Sequence, residues 1–188
     1  MSKYKVGDII GFSSYSCLGF WINIGTLGVP FRDLSHIGII GPDGFLYEST
    51  SLLQRPCAIL GNFIKGTQAQ HPTFRIRAYK GAVYHYPLNV ELQDGQCQAL
   101  CSFLTDNLAK PYDAIGAFRA RTLVTGRVIR WLMKREENLA SLFCSEYVMG
   151  AYSAAGLHPI DNASNWSPNR AARVLCHEGI IGPRQRLH

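Results

Sequence analysis

Ser35-His36-Ile37-Gly38-Ile39-Ile40-Gly41-Pro42-Asp43-Gly44-Phe45-Leu46-Tyr47-Glu48-Ser49-Thr50 is the stretch on which the fold turns. Two runs rich in β-branched and aromatic residues flank a Gly-Pro-Asp-Gly turn signal, which predicts a β-hairpin. Pro42 presets the backbone for the first turn position and Gly44 can take positive φ. A type I turn with a bulge, giving a three-residue loop, is therefore favoured over a two-residue loop. With Pro42, Asp43 and Gly44 as the loop, Gly41 faces Phe45, Ile39 faces Tyr47 and Gly38 faces Glu48. His36 and Glu48 then share a face as diagonal neighbours, with Cα atoms roughly 7–8 Å apart, a gap that two long polar side chains can close. A loop one residue shorter would put them on opposite faces.

Working outward, Tyr4 to Phe12 reads as a first strand, closed off by Ser13-Ser14. Leu18 to Leu27 is strongly apolar and ends among glycines, which suits a short buried helix. Further strands are expected around Phe74 to Tyr79 and Ala82 to Leu88, with Lys80-Gly81 as the turn. From Asp94 a helix is expected to run until before Pro111, because Cys97, Leu100, Cys101, Leu104 and Leu108 form one apolar stripe. Ala114 to about Lys134 reads as a second helix, with Arg119, Arg127, Arg130 and Lys134 on one side. A third begins close to Cys144, carries Tyr147, Val148, Ala151 and Ala155 on one stripe, and ends at Gly156. Ser167-Pro168 is an N-cap followed by a first-turn proline, opening a short helix through Val174. Strand, helix, sheet strands and then helices, without repeats or low-complexity linkers, make an α+β chain.

At 188 residues, with 47% hydrophobic and 17% charged residues, the composition suits one packed domain spanning residues 1–188. No stretch is long and apolar enough to cross a membrane and the N-terminus lacks a signal-peptide core, so a cytoplasmic protein is expected. The six cysteines, at 17, 57, 97, 101, 144 and 176, are expected as free thiols. With no Cys-x-x-Cys pair and no histidines at helical metal-ligand spacing, neither metal nor other cofactor is expected. The net charge of +6 admits an anionic partner. The basic helix face lacks the aromatic interleaving of single-strand binders, so nucleic acid is not expected. Peripheral membrane contact stays open.

Cys144 is placed at the first turn of a helix, whose unpaired N–H groups and dipole favour a thiolate and can hold an oxyanion. The competing reading is that it packs as a small hydrophobe. The other five cysteines read as core or lack a helix start. His36 alone reads as a buried structural histidine, but Glu48 on the same face supplies the acceptor that orients a general base. His71 and His85 are expected to have no comparable partner. Ser13, just after the first strand, is a candidate at the border of the cleft.

Taken in order, several short motifs span most of the chain. They are Gly7-Asp8-Ile9-Ile10, Phe20-Trp21-Ile22 with Thr26, Ser35-His36-Ile37-Gly38-Ile39, Tyr47-Glu48-Ser49, Lys110-Pro111-Tyr112-Asp113, Phe143-Cys144-Ser145-Glu146-Tyr147-Val148 and Ser167-Pro168. In this order the chain resembles the permuted papain-like amidases of the YiiX and YaeF kind, in the NlpC-like superfamily that includes lecithin:retinol acyltransferase. The resemblance implies a circularly permuted papain-like fold, an antiparallel sheet or small barrel packed against helices, with the histidine strand before the cysteine helix. It implies Cys144 as nucleophile, His36 as general base and Glu48 as the orienting third member. It also implies a place for Tyr112, and for Trp21, beside the substrate. The chain departs from the family in the long apolar link Leu27-Gly28-Val29-Pro30-Phe31-Arg32-Asp33-Leu34, where a short link before Ser-His is usual. The expected activity is a cysteine amidase or peptidase forming a thioacyl-enzyme. The alternatives are an acyltransferase or deacylase of lipids, with Phe20, Trp21, Leu27, Val29 and Phe31 as an apolar lip, and a non-catalytic binding module. The expected partner is a small-molecule, peptide or acyl-lipid substrate.

Overall fold

In a computed structural model that describes residues 3–14, 34–112, 142–160 and 166–187, the hairpin is the centre of the molecule. Strands β2 (His36–Ile40) and β3 (Leu46–Thr50) pair antiparallel with Ile39 opposite Tyr47 and Ile40 opposite Leu46. Gly41 N donates to Phe45 O at 2.9 Å and Gly44 N to Gly41 O at 3.0 Å, which closes a loop of Pro42, Asp43 and Gly44. Gly44 takes φ 77°, the left-handed conformation the bulge requires. Tyr47 Oη donates to Asp43 Oδ2 at 2.7 Å and fixes the loop against the second strand.

Around this hairpin the sheet extends to six antiparallel strands in the order β4-β3-β2-β1-β5-β6, with β1 Ile9–Ser14, β4 Gly66–Gln70, β5 Gly81–Tyr86 and β6 Gln185–Arg186. The sheet is open, with β4 and β6 as its edges, rather than a small barrel. Alternation along the strands sorts the apolar residues onto two faces. Ile9, Ile37, Ile39, Tyr47 and Ala69 join the larger core under the helices. Ile10, Phe12, Ile40, Leu46 and Val83 form a second core with Ile76 on the opposite face.

Four helices complete the described residues: α1 Pro72–Arg77, α2 Asp94–Asp106, α3 Cys144–Ala154 and α4 Pro168–His177. Helix α3 packs on β2 and β3 and on α2. Its Tyr147 Oη donates to Leu104 O at 2.5 Å and its Tyr152 Oη to Gly7 O at 2.6 Å. Gly156, at φ 66°, ends it, and Leu157 N donates back to Tyr152 O at 2.9 Å. Ser167 Oγ accepts from Arg170 N at 3.3 Å, capping α4, which runs beyond Val174 to His177. None of the described helices is long and apolar enough to cross a membrane.

Four local expectations change. The first strand starts at Ile9, not Tyr4, and continues through Ser13-Ser14, because β5 pairs with it as far as Gly81 opposite Ser14. Residues Phe74 to Tyr79 do not form a strand: Pro72 occupies the first turn of α1, where its missing N–H costs nothing. Strand β4, Gly-Thr-Gln-Ala-Gln, has too few apolar residues to announce itself. His85, expected without a partner, is bonded through Nε2 to Asp8 Oδ2 at 2.7 Å. Asp8 also accepts from Lys5 N and Leu88 N, each at 2.9 Å, so this pair clasps the start of β1 to the end of β5. The helices expected over Leu18 to Leu27 and Ala114 to Lys134 lie outside the described residues.

Candidate active site

Strand β3 organises the site through the two sides of its pleat. Glu48 points to the α1 face, where Oε2 meets His36 Nε2 at 2.6 Å and Oε1 accepts from Arg75 Nε at 2.7 Å. Its neighbour Ser49 points to the opposite face and donates from Oγ to Leu142 O at 2.5 Å. Leu142 lies two residues before Cys144, so one strand holds both the carboxylate and the approach to the thiol. Ser145 Oγ donates to Trp166 O at 2.5 Å and secures the other side of that approach.

Cys144 is the first residue of α3 and is 2% exposed. Phe143 N, just outside the helix, donates to Glu146 Oε2 at 3.0 Å, and the first intrahelical bond runs from Tyr147 N to Phe143 O at 3.1 Å. The N–H groups of the first turn therefore have no partners within the helix ladder, and the dipole there favours negative charge. Cys144 lies close enough to the His36 imidazole for its charge and side chain to act on the titration of the ring. With Nε2 engaged by Glu48, Nδ1 is the ring nitrogen that remains open to a further partner.

The electrostatics stem from that arrangement. Burial works to lower the pKa of His36, but the charge of Cys144 and the hydrogen bond to it, together with those of Glu48, reverse this and raise it to about 9. Burial alone would raise the Glu48 carboxyl, yet the His36 hydrogen bond and the Arg75 charge bring it down to about 2. At neutral pH the imidazole is thus an imidazolium and the carboxyl a carboxylate. Arg75, Glu48 and His36 form a hydrogen-bonded row, and Cys144 lies close enough to His36 to act on its charge.

Arg75 carries no mark of a site residue in the sequence, where its stretch alternates like a strand. It is 6% exposed, its guanidinium stacks 4.6 Å from the centroid of Phe12 and 5.6 Å from that of Tyr79, and its Nη1 is buried without a hydrogen-bond partner. The one available signal is Pro72, a helix-opening residue three positions earlier. Of the substrate-side candidates, Tyr112 packs beside Phe143 and Cys144 and bridges to Leu142. Ser13 is buried opposite Ala82, and among the described residues no hydrogen bond joins it to Cys144, His36 or Glu48. Trp21 lies outside the described residues. A cavity of about 260 Å³ opens on the α1 side, bounded by Glu48, Arg75, Gln68, Gln70, Leu52 and Phe74; Cys144 and His36 are not among its walls.

No protein-family model matches the chain, and no curated protein matches it. A solved structure that does match is that of the metalloprotein yiiX from Escherichia coli O157:H7, with a TM-score of 0.54 and 17% identity, over 99% of this chain and 97% of that one. At that identity the likeness is one of fold. Among the described residues no group of three or more His, Cys, Asp or Glu side chains is arranged to hold a metal ion. The described side chains therefore do not fit a metal centre.

Proposed function

We propose that the chain is a cysteine hydrolase of the amidase or peptidase type, on a circularly permuted papain-like fold, with Cys144 as nucleophile, His36 as acid and base, and Glu48 as the residue that orients the imidazole. The observation that carries the reading is the hydrogen-bonded row from Arg75 through Glu48 to His36, with a cysteine at a helix N-terminus close enough to act on the imidazole. The order of histidine strand before cysteine helix, and the series of motifs from Gly7-Asp8 to Ser167-Pro168, supply the permuted papain-like reading.

In this mechanism the Cys144 thiolate adds to the substrate carbonyl, forming a C–S bond and an oxyanion that first-turn N–H groups of α3 stabilise. As the tetrahedral intermediate collapses, the His36 imidazolium gives its proton to the leaving amine and the C–N bond breaks. The neutral imidazole then takes a proton from water, which adds to the thioester; C–S cleavage releases the acid and restores the thiolate–imidazolium pair. Such a base contributes on the order of 10²–10⁴ in rate.

A chromogenic ester tests this without knowledge of the natural substrate. Incubation with p-nitrophenyl acetate should give a burst of nitrophenol and an acetyl group on Cys144, located by mass spectrometry. Cys144→Ser and His36→Ala should each abolish the turnover with circular dichroism unchanged; full turnover in either variant would sink the proposal. The 2% exposure of Cys144 favours a second reading, a binding module on the same scaffold with its cleft closed. That reading predicts no acyl adduct at all.

A further inference from the structure

Among the described residues, large apolar side chains exposed to solvent are concentrated from the end of β3 to α1. Leu52, Leu53, Ile59, Leu60, Phe63 and Phe74 are each more than two-fifths exposed, and Phe63 reaches 60%. A cluster of this kind, unlike scattered surface leucines, marks a surface that meets something apolar.

The segment that carries them is a built feature. Cys57 is buried at its base, and Cys57 N donates to Asn62 O and Gly61 N to Cys57 O, both at 2.8 Å, closing a tight turn. Gly61 takes φ 72° to make that turn, which presents Ile59 and Leu60 at its tip. Ala58 N donates to Ala69 O at 2.8 Å and Ala69 N to Cys57 Sγ at 3.4 Å, fastening the segment to edge strand β4. Gln70 Nε2 donates to Pro56 O at 3.1 Å, and the Arg55 guanidinium lies 4.8 Å from the ring centroid of Phe74, which joins the segment to α1.

The charge pattern names the partner. Residues 49–90 contain Arg55, Lys65, Arg75, Arg77 and Lys80 and not one Asp or Glu. Arg75 is neutralised by Glu48, but Arg55, which lies against Phe74, and Lys65, Arg77 and Lys80 are exposed. Aliphatic and aromatic side chains that can enter a bilayer interface, carried on a stretch of chain with cations and no acidic residue, match an anionic lipid surface. A second copy of this chain would bring the same cations to the contact and meet it with like charge. We infer that the turn at residues 52–63, with Phe74, docks the molecule onto an anionic membrane surface.

Leu52 and Phe74 border the cavity that Glu48 and Arg75 also line, but Cys144 and His36 are not among its walls, and vesicle binding is read without reference to turnover. The full chain would be sedimented with vesicles of phosphatidylcholine alone and of phosphatidylcholine with phosphatidylglycerol. Binding is expected to the second kind, weakened but not abolished by salt, and reduced at least about tenfold in Leu60→Glu/Phe63→Glu. Cys144→Ser should bind as the wild type does, which separates this result from any failure of the catalytic reading. Because both substituted side chains are exposed, circular dichroism of the double variant should match the wild type. If it does not, Lys65→Glu and Arg55→Glu replace it, with the loss then read on the anionic vesicles. The inference is overturned if the wild type binds neither vesicle, if binding survives the substitutions, or if sedimentation equilibrium shows that the same substitutions dissolve a dimer while vesicle binding is absent.

Discussion

At the scale of single residues, the feature that most distinguishes this site is Arg75. The carboxylate bonded to the His36 imidazole is itself held, through Oε1, by a buried guanidinium stacked on Phe12. Glu48 is therefore kept ionised from two sides, and its carboxyl lies at about 2. Arg75 meets Glu48, Phe12 and Tyr79, and the part proposed for it is positioning. Arg75→Met keeps most of the side-chain volume and removes the charge, which should let the Glu48 carboxyl titrate roughly one pH unit or more higher. The acid limb of the Cys144 reaction with an alkylating agent should move up by the same amount. A merely structural Arg75 would lower stability and leave that limb where it was.

At the scale of elements, the hairpin does the decisive work. Its three-residue loop sets a register in which His36 and Glu48 share a face, and the 2.6 Å contact is the result. Deleting Asp43 should shorten the loop, slip the register by one residue and send Glu48 to the other face. The His36 titration followed by NMR should then fall from about 9 toward the ordinary value of 6.5; a titration unmoved by the deletion would show that loop parity is not what pairs them. This much was legible, because Pro and Gly at fixed offsets dictate a turn type and a strand has a strict period of two. The start of α3 at Cys144 and the Ser167 cap were legible for similar local reasons. Helix α1 was not: Phe74-Arg75-Ile76-Arg77 alternates apolar and charged residues as a strand would, and only its packing, with Ile76 in the second core and Arg75 on Glu48, decides otherwise. Nor could the clasp between Asp8 and His85 be seen, since its partners lie far apart in sequence and meet only when β5 pairs with β1.

At the scale of the whole molecule, the charged row ties folding to pH. Glu48 is depressed on folding, so its contribution is present above about 4.5 and is lost as pH falls through about 2; it amounts to something on the order of 3 kcal/mol. His36 is raised, so its contribution is complete below about 6.5 and is lost as pH rises through about 9. The urea midpoint of the wild type should exceed that of Glu48→Gln most between these two ranges, and the gap should narrow toward both pH 2 and pH 9. A gap independent of pH would mean that the row is not charged as described. The proposal that Cys144 is an activated thiolate paired with His36 is met most directly by mapping alkylation of every cysteine against pH in the wild type and in His36→Ala. An unperturbed thiol has a pKa of about 8.5, and burial, with Cys97 beside it, pushes Cys101 up to about 11. Selective modification of Cys144 near pH 6, disappearing in His36→Ala, is the expected result. Modification of Cys144 no faster than that of the other cysteines, or unchanged by the loss of His36, would refute the pairing.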